Sequence, residues 1–186
     1  MPITVTPTAE IPDVLVIEPK VFGDERGWFY ESFNQQEFTE KTGINEPFIQ
    51  DNHSFSGQYI LRGLHYQLDN PQGKLVRVTQ GRVIDVAVDI RKGSATFGKW
   101  VAIELSADNH KQLWIPAGCA HGFFVLSENA HFLYKVTNYW DPKSEQRILW
   151  NDPTLCIDWK IPSGVTPLQN EKDASGLLFL NAPVFD

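Results

Sequence analysis

The sequence predicts an all-β protein, and three observations carry that reading. Short apolar runs of strand length recur along the chain, separated by Gly, Pro, Asn and Asp. One long run, "KLVRVTQGRVIDVAVDI", breaks at Gln80-Gly81 as two strands joined by a tight turn would. A clear helical signal is confined to "NQQEFTEKTG". Many short antiparallel strands close into a sandwich, a jelly roll or a barrel. With 186 residues and 42% hydrophobic content the chain can bury the core of one domain spanning 1–186, and no compositional break marks a linker.

In chain order, "DVLVIEP" and "WFYESF" read as the first strands. The helix follows, opened by Asn34 with Glu37 three positions later and closed by Gly43. Then come "YILRGLHYQ", the pair around Gln80-Gly81, "KWVAIELS", "KQLWIPAG", "HGFFVL" and "HFLYKVTNYW". Repeats and low-complexity segments are absent.

Alternation puts polar groups where a core face would be apolar. If extended, "QDNHSFS" places Gln50, Asn52 and Ser54 on one side; "LRGLHYQ" does the same with Gly63, His65 and Gln67. In "HFLYKVT" the set is Phe132, Tyr134 and Val136. The competing register would bury Asp51, which is costly without a partner. Recurrence over several strands, with Gly63 thinning the wall beside His65, points to a polar pocket.

A formal net charge of -7 argues against a broad nucleic-acid surface, although a local Arg and Lys cluster can still hold a small anion. Two cysteines, Cys119 and Cys156, do not make a disulfide framework, and Cys119 reads as a small buried residue. The first twenty residues lack the pattern of a signal peptide, and no stretch approaches the roughly 20 apolar residues of a membrane span. The expectation is a cytoplasmic protein without nucleic-acid or membrane partners.

Of five histidines, His53, His110 and His131 read as surface or packing residues. His121 differs, because "PAGCAHGF" delivers it from a Pro-Gly turn onto an aromatic strand. This P-x-G-x-x-H turn resembles the second signature of cupins, jelly-roll barrels that often bind a metal. The first signature would supply a His-x-His pair, but here it reads His65-Tyr66-Gln67, with Lys74 following. A missing imidazole and a nearby ammonium both oppose a cation, so no metal is expected. His, Lys and Tyr together suit proton transfer beside a carbonyl: His accepts a proton near neutrality, Tyr arrives protonated, and Lys steadies a developing oxyanion.

Nearly the whole chain resembles the dTDP-4-dehydrorhamnose 3,5-epimerase family, from "IPDVLVIEPKVFGDERGWFYESFNQQEF" through "QDNHSFS", "LRGLHYQ", "LWIPAGCAHGFFVLSE" and "FLYKVTNYWDPKSE" to "LQNEKDA". The resemblance implies a cupin-type jelly roll, or double-stranded β-helix barrel, with a few short peripheral helices. It also implies cofactor-independent inversion of C3 and C5 of dTDP-4-dehydro-6-deoxy-D-glucose to give dTDP-4-dehydro-L-rhamnose, and a homodimer. By the family pattern His65 is the base, Asp173 orients it, Tyr134 delivers a proton from the other face, and Lys74 stabilises the enolate with His121. Read without the family, Asp173 is a helix or turn cap, Tyr134 a core aromatic and Lys74 a solvated loop residue, with Tyr139 the alternative donor.

The resemblance also transfers substrate contacts to Arg26, Glu31, Gln50, Asp51, Asn52, Arg62, Glu145 and Lys172. Arg62 and Lys172 suit the diphosphate, one as a planar bidentate donor and the other as a point charge. Glu31 and Asp51 would accept hydrogen bonds from sugar hydroxyls or from the arginines. Trp140 stands where the family usually has a tyrosine that stacks on thymine; either ring offers an aromatic face. The competing readings are inversion at C3 only or C5 only in another dTDP-deoxysugar pathway, a metal-dependent cupin dioxygenase, and a non-catalytic sugar-nucleotide binder.

Overall fold

A computed structural model describes residues 2–186. Among the described residues thirteen strands are arranged around the apolar alternation of the sequence. They are β1 (Ile3–Pro7), β2 (Leu15–Pro19), β3 (Phe22–Asp24), β4 (Gly27–Phe29), β5 (Gln50–Gly57), β6 (Leu61–Gln67) and β7 (Lys74–Gln80), followed by β8 (Arg82–Asp89), β9 (Trp100–Ser106), β10 (Gln112–Ile115), β11 (Cys119–Val125), β12 (Asn129–Val136) and β13 (Glu145–Arg147). Two helices, α1 (Gln35–Thr42) and α2 (Glu171–Ala174), lie outside the sheets.

One antiparallel sheet runs β1-β2-β10-β7-β12-β5 and the other β13-β6-β11-β8-β9, while β3 and β4 form a separate hairpin. Between the sheets, Val76, Val78, Leu113, Ile115 and Phe132 of the first meet Val83, Ala87, Val101, Leu105, Phe123 and Val125 of the second. The second sheet is also covered outside, where Leu64, Ile84, Val86, Val88 and Phe124 pack under Ile148, Leu155, Trp159 and Phe179. β8 is therefore buried on both faces, which is why its sequence reads as a continuous apolar run rather than an alternating one. Each large apolar side chain so enclosed contributes about 1.5–3 kcal/mol.

The helix from the sequence forms as expected. The Asn34 side chain accepts from the Glu37 amide, Gly43 closes the helix at φ 75°, and Phe38 is the buried anchor, packed with Leu15, Ile17, Leu75 and Trp114. "WFYESF" is strand only as far as Phe29. From Tyr30 the chain leaves the hairpin, and Ser32 and Phe33 lead into the Asn34 cap.

Where β6 meets β11 the strands approach unusually closely. A Cβ on Gly63 would lie 2.5 Å from the Gly122 Cα and the His121 carbonyl, and one on Gly122 would lie 2.5 Å from the Arg62 carbonyl. Gly63 also has φ 109°, a region open to glycine and strained for any other residue. The pairing slips between His121 and Phe123 at this point, so the simple inside-outside alternation of β6 is broken.

Candidate active site

A cavity of about 310 Å³ opens between the sheets, lined by Gln50, Asn52 and Ser54 of β5, Phe132 and Tyr134 of β12 and Lys74 of β7 on one side. Arg62, His65 and Gln67 of β6, His121 of β11 and Glu145 of β13 line it from the other, with Trp140 also on its wall. The polar faces read from the sequence thus turn inward, and Asp51, His53 and Phe55 turn out. Gly63 is not among the lining residues. The slip in β6 brings Arg62 in together with His65, a pairing that strict alternation forbids.

His65 pairs with His121 across the strands, and Arg147 pairs with His65 on its other side. The His65 Nε2 lies 2.5 Å from Asp173 Oδ1, and Asp173 is buried, 3% exposed. Asp173 does not cap α2: the Asn170 side chain does, accepting from the Asp173 amide and freeing the carboxylate for His65. A carboxylate only accepts, so Nε2 carries the proton in this pair and Nδ1 is left as the basic nitrogen.

A second histidine-carboxylate pair lies deeper, with His121 Nε2 2.9 Å from Asp85 Oδ2. Both are buried, and Asp85 Oδ1 has no hydrogen-bond partner. Burial pushes the Asp85 carboxyl up and the His121 imidazole down, each against the attraction of the other. Lys74 is 8% exposed, and burial brings its ammonium down to about 8 against the pull of Asp85 and Glu145. Burial, reinforced by Glu145, raises the Tyr134 phenol, which stays protonated at neutral pH. Tyr139 is 67% exposed and does not line the cavity.

Asp85 went unread in the sequence, yet its signal was there: a lone acid inside an otherwise apolar buried strand requires a partner. Arg147 gave no such signal. It is held by the Glu145 carboxylate, and its Nε lies 3.9 Å from Asp173.

Four expected substrate contacts lie off the cavity wall. Asp51 falls on the outward face of β5 and is ion-paired with Lys135 at 2.8 Å. Arg26 is exposed at the β3–β4 hairpin, gripping Asp24 beside a separate hollow lined by Phe22, Trp28 and Phe29. Glu31 lines another hollow, beside α1. Lys172 points to the exposed side of α2, the turn of which brings Asp173 in instead. His53 and His131 bond to each other at 2.8 Å on the surface, and His110 packs against Trp28 and Tyr30, as expected of residues outside the site.

Among the described residues no group of three or more His, Cys, Asp or Glu side chains could hold a metal ion. Gln67 stands where a cupin ligand would be, with its amide engaged by backbone groups, and a buried ammonium faces the same space. The donor set suits proton transfer on a polar organic substrate.

Fold and site together define a cupin-type barrel with a polar pocket between its sheets. Residues 8–181 match the family model described as dTDP-4-dehydrorhamnose 3,5-epimerase, and the chain belongs to that family. It is 58% identical over 175 residues to the dTDP-4-dehydrorhamnose 3,5-epimerase of Pseudomonas aeruginosa, covering 94% of this chain and 96% of the relative. To the enzyme of that name from Salmonella typhimurium it is 60% identical over 169 residues, covering 90% and 91%. The crystal structure of a dTDP-6-deoxy-D-glucose-3,5-epimerase from Legionella pneumophila, in complex with dTDP-4-keto-L-rhamnose, superposes with a TM-score of 0.94 at 47% identity, covering both chains fully.

Proposed function

We propose that the chain inverts C3 and C5 of dTDP-4-dehydro-6-deoxy-D-glucose, giving dTDP-4-dehydro-L-rhamnose for dTDP-L-rhamnose synthesis. The observation that carries this reading is that His65 and Tyr134 enter one cavity from different sheets. At each carbon the His65 Nδ1 takes the proton beside the C4 ketone, and the C–H electron pair moves into an enolate whose negative charge rests on the C4 oxygen. Lys74 faces that oxygen as an ammonium, with His121 held beside it by Asp85. Tyr134 then gives its phenolic proton to the opposite face of the carbon, which inverts it. Exchange with water returns the imidazole and phenol to their starting states. No cofactor is needed, because the ketone itself is the electron sink.

Arg62 suits the diphosphate. It donates Nε–H to Ser56 Oγ at 3.0 Å and one Nη2–H to the Phe55 carbonyl at 3.3 Å, leaving part of its donor fork for phosphate oxygens. Trp140, 57% exposed on the cavity wall, offers its ring to the thymine. Product NMR in deuterated water tests the reading: one solvent deuteron at each of C3 and C5 supports it, and label at one carbon only would favour the single-inversion alternative.

Homodimerisation and a cytoplasmic location belong to the same proposal. The β3–β4 hairpin exposes Phe22, Trp28 and Phe29, with 63% of Trp28 open, an apolar group that a second copy would cover. Such a contact would give Arg26 and Glu31 a route to the partner's substrate. Light scattering at twice the monomer mass, lost in Trp28→Glu, is the expected result. The free thiols of Cys119 and Cys156 accord with a reducing compartment. No helix among the described residues is long and apolar enough to cross a membrane.

A further inference from the structure

Trp140 sits in a segment without regular structure, half open to solvent, yet its backbone is held at three atoms by two side-chain amides. Gln67 Nε2 donates to the Tyr139 carbonyl at 3.3 Å, and Gln67 Oε1 accepts from the Asp141 amide at 3.0 Å. Gln50 Oε1 accepts from the Trp140 amide at 3.1 Å. Both peptide units flanking Trp140 are therefore fixed from inside the cavity, and Gln67 grips each of them. Its remaining amide hydrogen reaches the Asn70 carbonyl at 2.9 Å, tying the same segment to the β6–β7 turn.

The surrounding bonds follow the same plan. Gln72 donates to the Asn138 carbonyl, Asn138 to the Pro71 carbonyl, and Ser144 exchanges bonds with both backbone groups of Asp69. These three lie at the ends of the segment. Its middle is held by Gln67 and by the Gln50 bond to the Trp140 amide, and of the two it is Gln67, 4% exposed, that grips both flanking peptide units.

We propose that Gln67 is a positioning residue for nucleotide recognition: it presets the backbone on either side of Trp140, so that the indole is in place before substrate arrives. This rests on Trp140 as the thymine platform. An untethered segment would have to be ordered on binding, and that cost falls on affinity, not on proton transfer at the sugar. Replacing the amide by an isosteric apolar chain removes all three of its bonds while keeping the packing.

The test compares Gln67→Met, Trp140→Ala and the double variant by steady-state kinetics on the dTDP-keto sugar. Gln67→Met is expected to raise KM about tenfold, the size of one lost tether, with kcat within about twofold. The same change is expected to add nothing in the Trp140→Ala background, where there is no platform left to place. An unchanged KM in Gln67→Met, a fall in kcat alone, or a full independent effect in the double variant overturns the proposal while leaving the stacking role of Trp140 standing. An unchanged KM in Trp140→Ala removes the platform reading itself, and the proposal with it. If Gln67→Met does not accumulate as folded protein, Gln67→Glu is measured instead. It keeps the acceptor for the Asp141 amide but loses the N–H groups to Tyr139 and Asn70, and the same outcomes apply.

Discussion

His65 and His121 stand opposite each other on β6 and β11, and each is held by a different aspartate, His65 by Asp173 at 2.5 Å and His121 by Asp85 at 2.9 Å. Their surroundings differ. The His65 side chain is 30% exposed in the cavity, whereas that of His121 is 8% exposed over a fully buried acid. Two imidazoles in matching geometry thus differ in access to the cavity, which fits the proposed division into a base and its supporting group.

Tyr134→Phe keeps the ring on the cavity wall and removes only the transferable proton. Epimerisation is expected to slow by about 10²- to 10⁴-fold, measured by coupled assay of product formation. Tyr139→Phe, at an exposed position off the cavity, is expected to leave the rate close to wild type; the reverse pattern would move the donor to Tyr139.

In its proposed role Lys74 is expected to set the alkaline limb of the pH profile. With the ammonium brought down to about 8 by burial, kcat is expected to fall as pH rises through that value, and a flat profile to pH 9 would remove Lys74 from the reaction. The linkage to stability has the opposite sense. A lysine with a lowered folded pKa binds fewer protons folded than unfolded between pH 8 and its usual range, so its unfavourable contribution is present below pH 8 and relieved above it. Lys74→Met is therefore expected to lose epimerisation by at least about 10²-fold while melting no lower than wild type at pH 7.

Gly63→Ala tests the close approach that brings Arg62 and His65 onto one wall. The new methyl would meet Gly122 Cα and the His121 carbonyl at 2.5 Å from a backbone at φ 109°. The variant is expected to lose more than about 2 kcal/mol by chemical denaturation, and Gly93→Ala, with open space around it, to lose far less.

Most strands were legible because their apolar alternation is enclosed by turn residues, and β8 because both its faces are covered. β1 alternates apolar and polar only over Ile3, Thr4, Val5 and Thr6 before Pro7, a signal too short to set it apart from loop, and β13, the three residues Glu-Gln-Arg, carries no apolar periodicity; they are held by their pairing with β2 and β6. In the site, Lys74, at a turn-to-strand junction, by itself reads as a solvated loop residue, whereas His65 and Tyr134 could be found from residue chemistry and strand faces. Arg62 could not, because its entry depends on a pairing slip that no local pattern announces. Asp173 was named by family likeness, and its contact with His65 spans 108 positions of sequence. The outward turn of Asp51 follows from the same alternation that brings Gln50 and Asn52 inward.

The central claim is that the His65 imidazole removes the protons beside the ketone. The most direct test is deuterium wash-in from solvent at C3 and C5 of the bound keto sugar in His65→Asn, with dTDP binding measured on the same preparation. The expected result is no label at either carbon with dTDP affinity near wild type. Full labelling at both carbons in that variant would contradict the account.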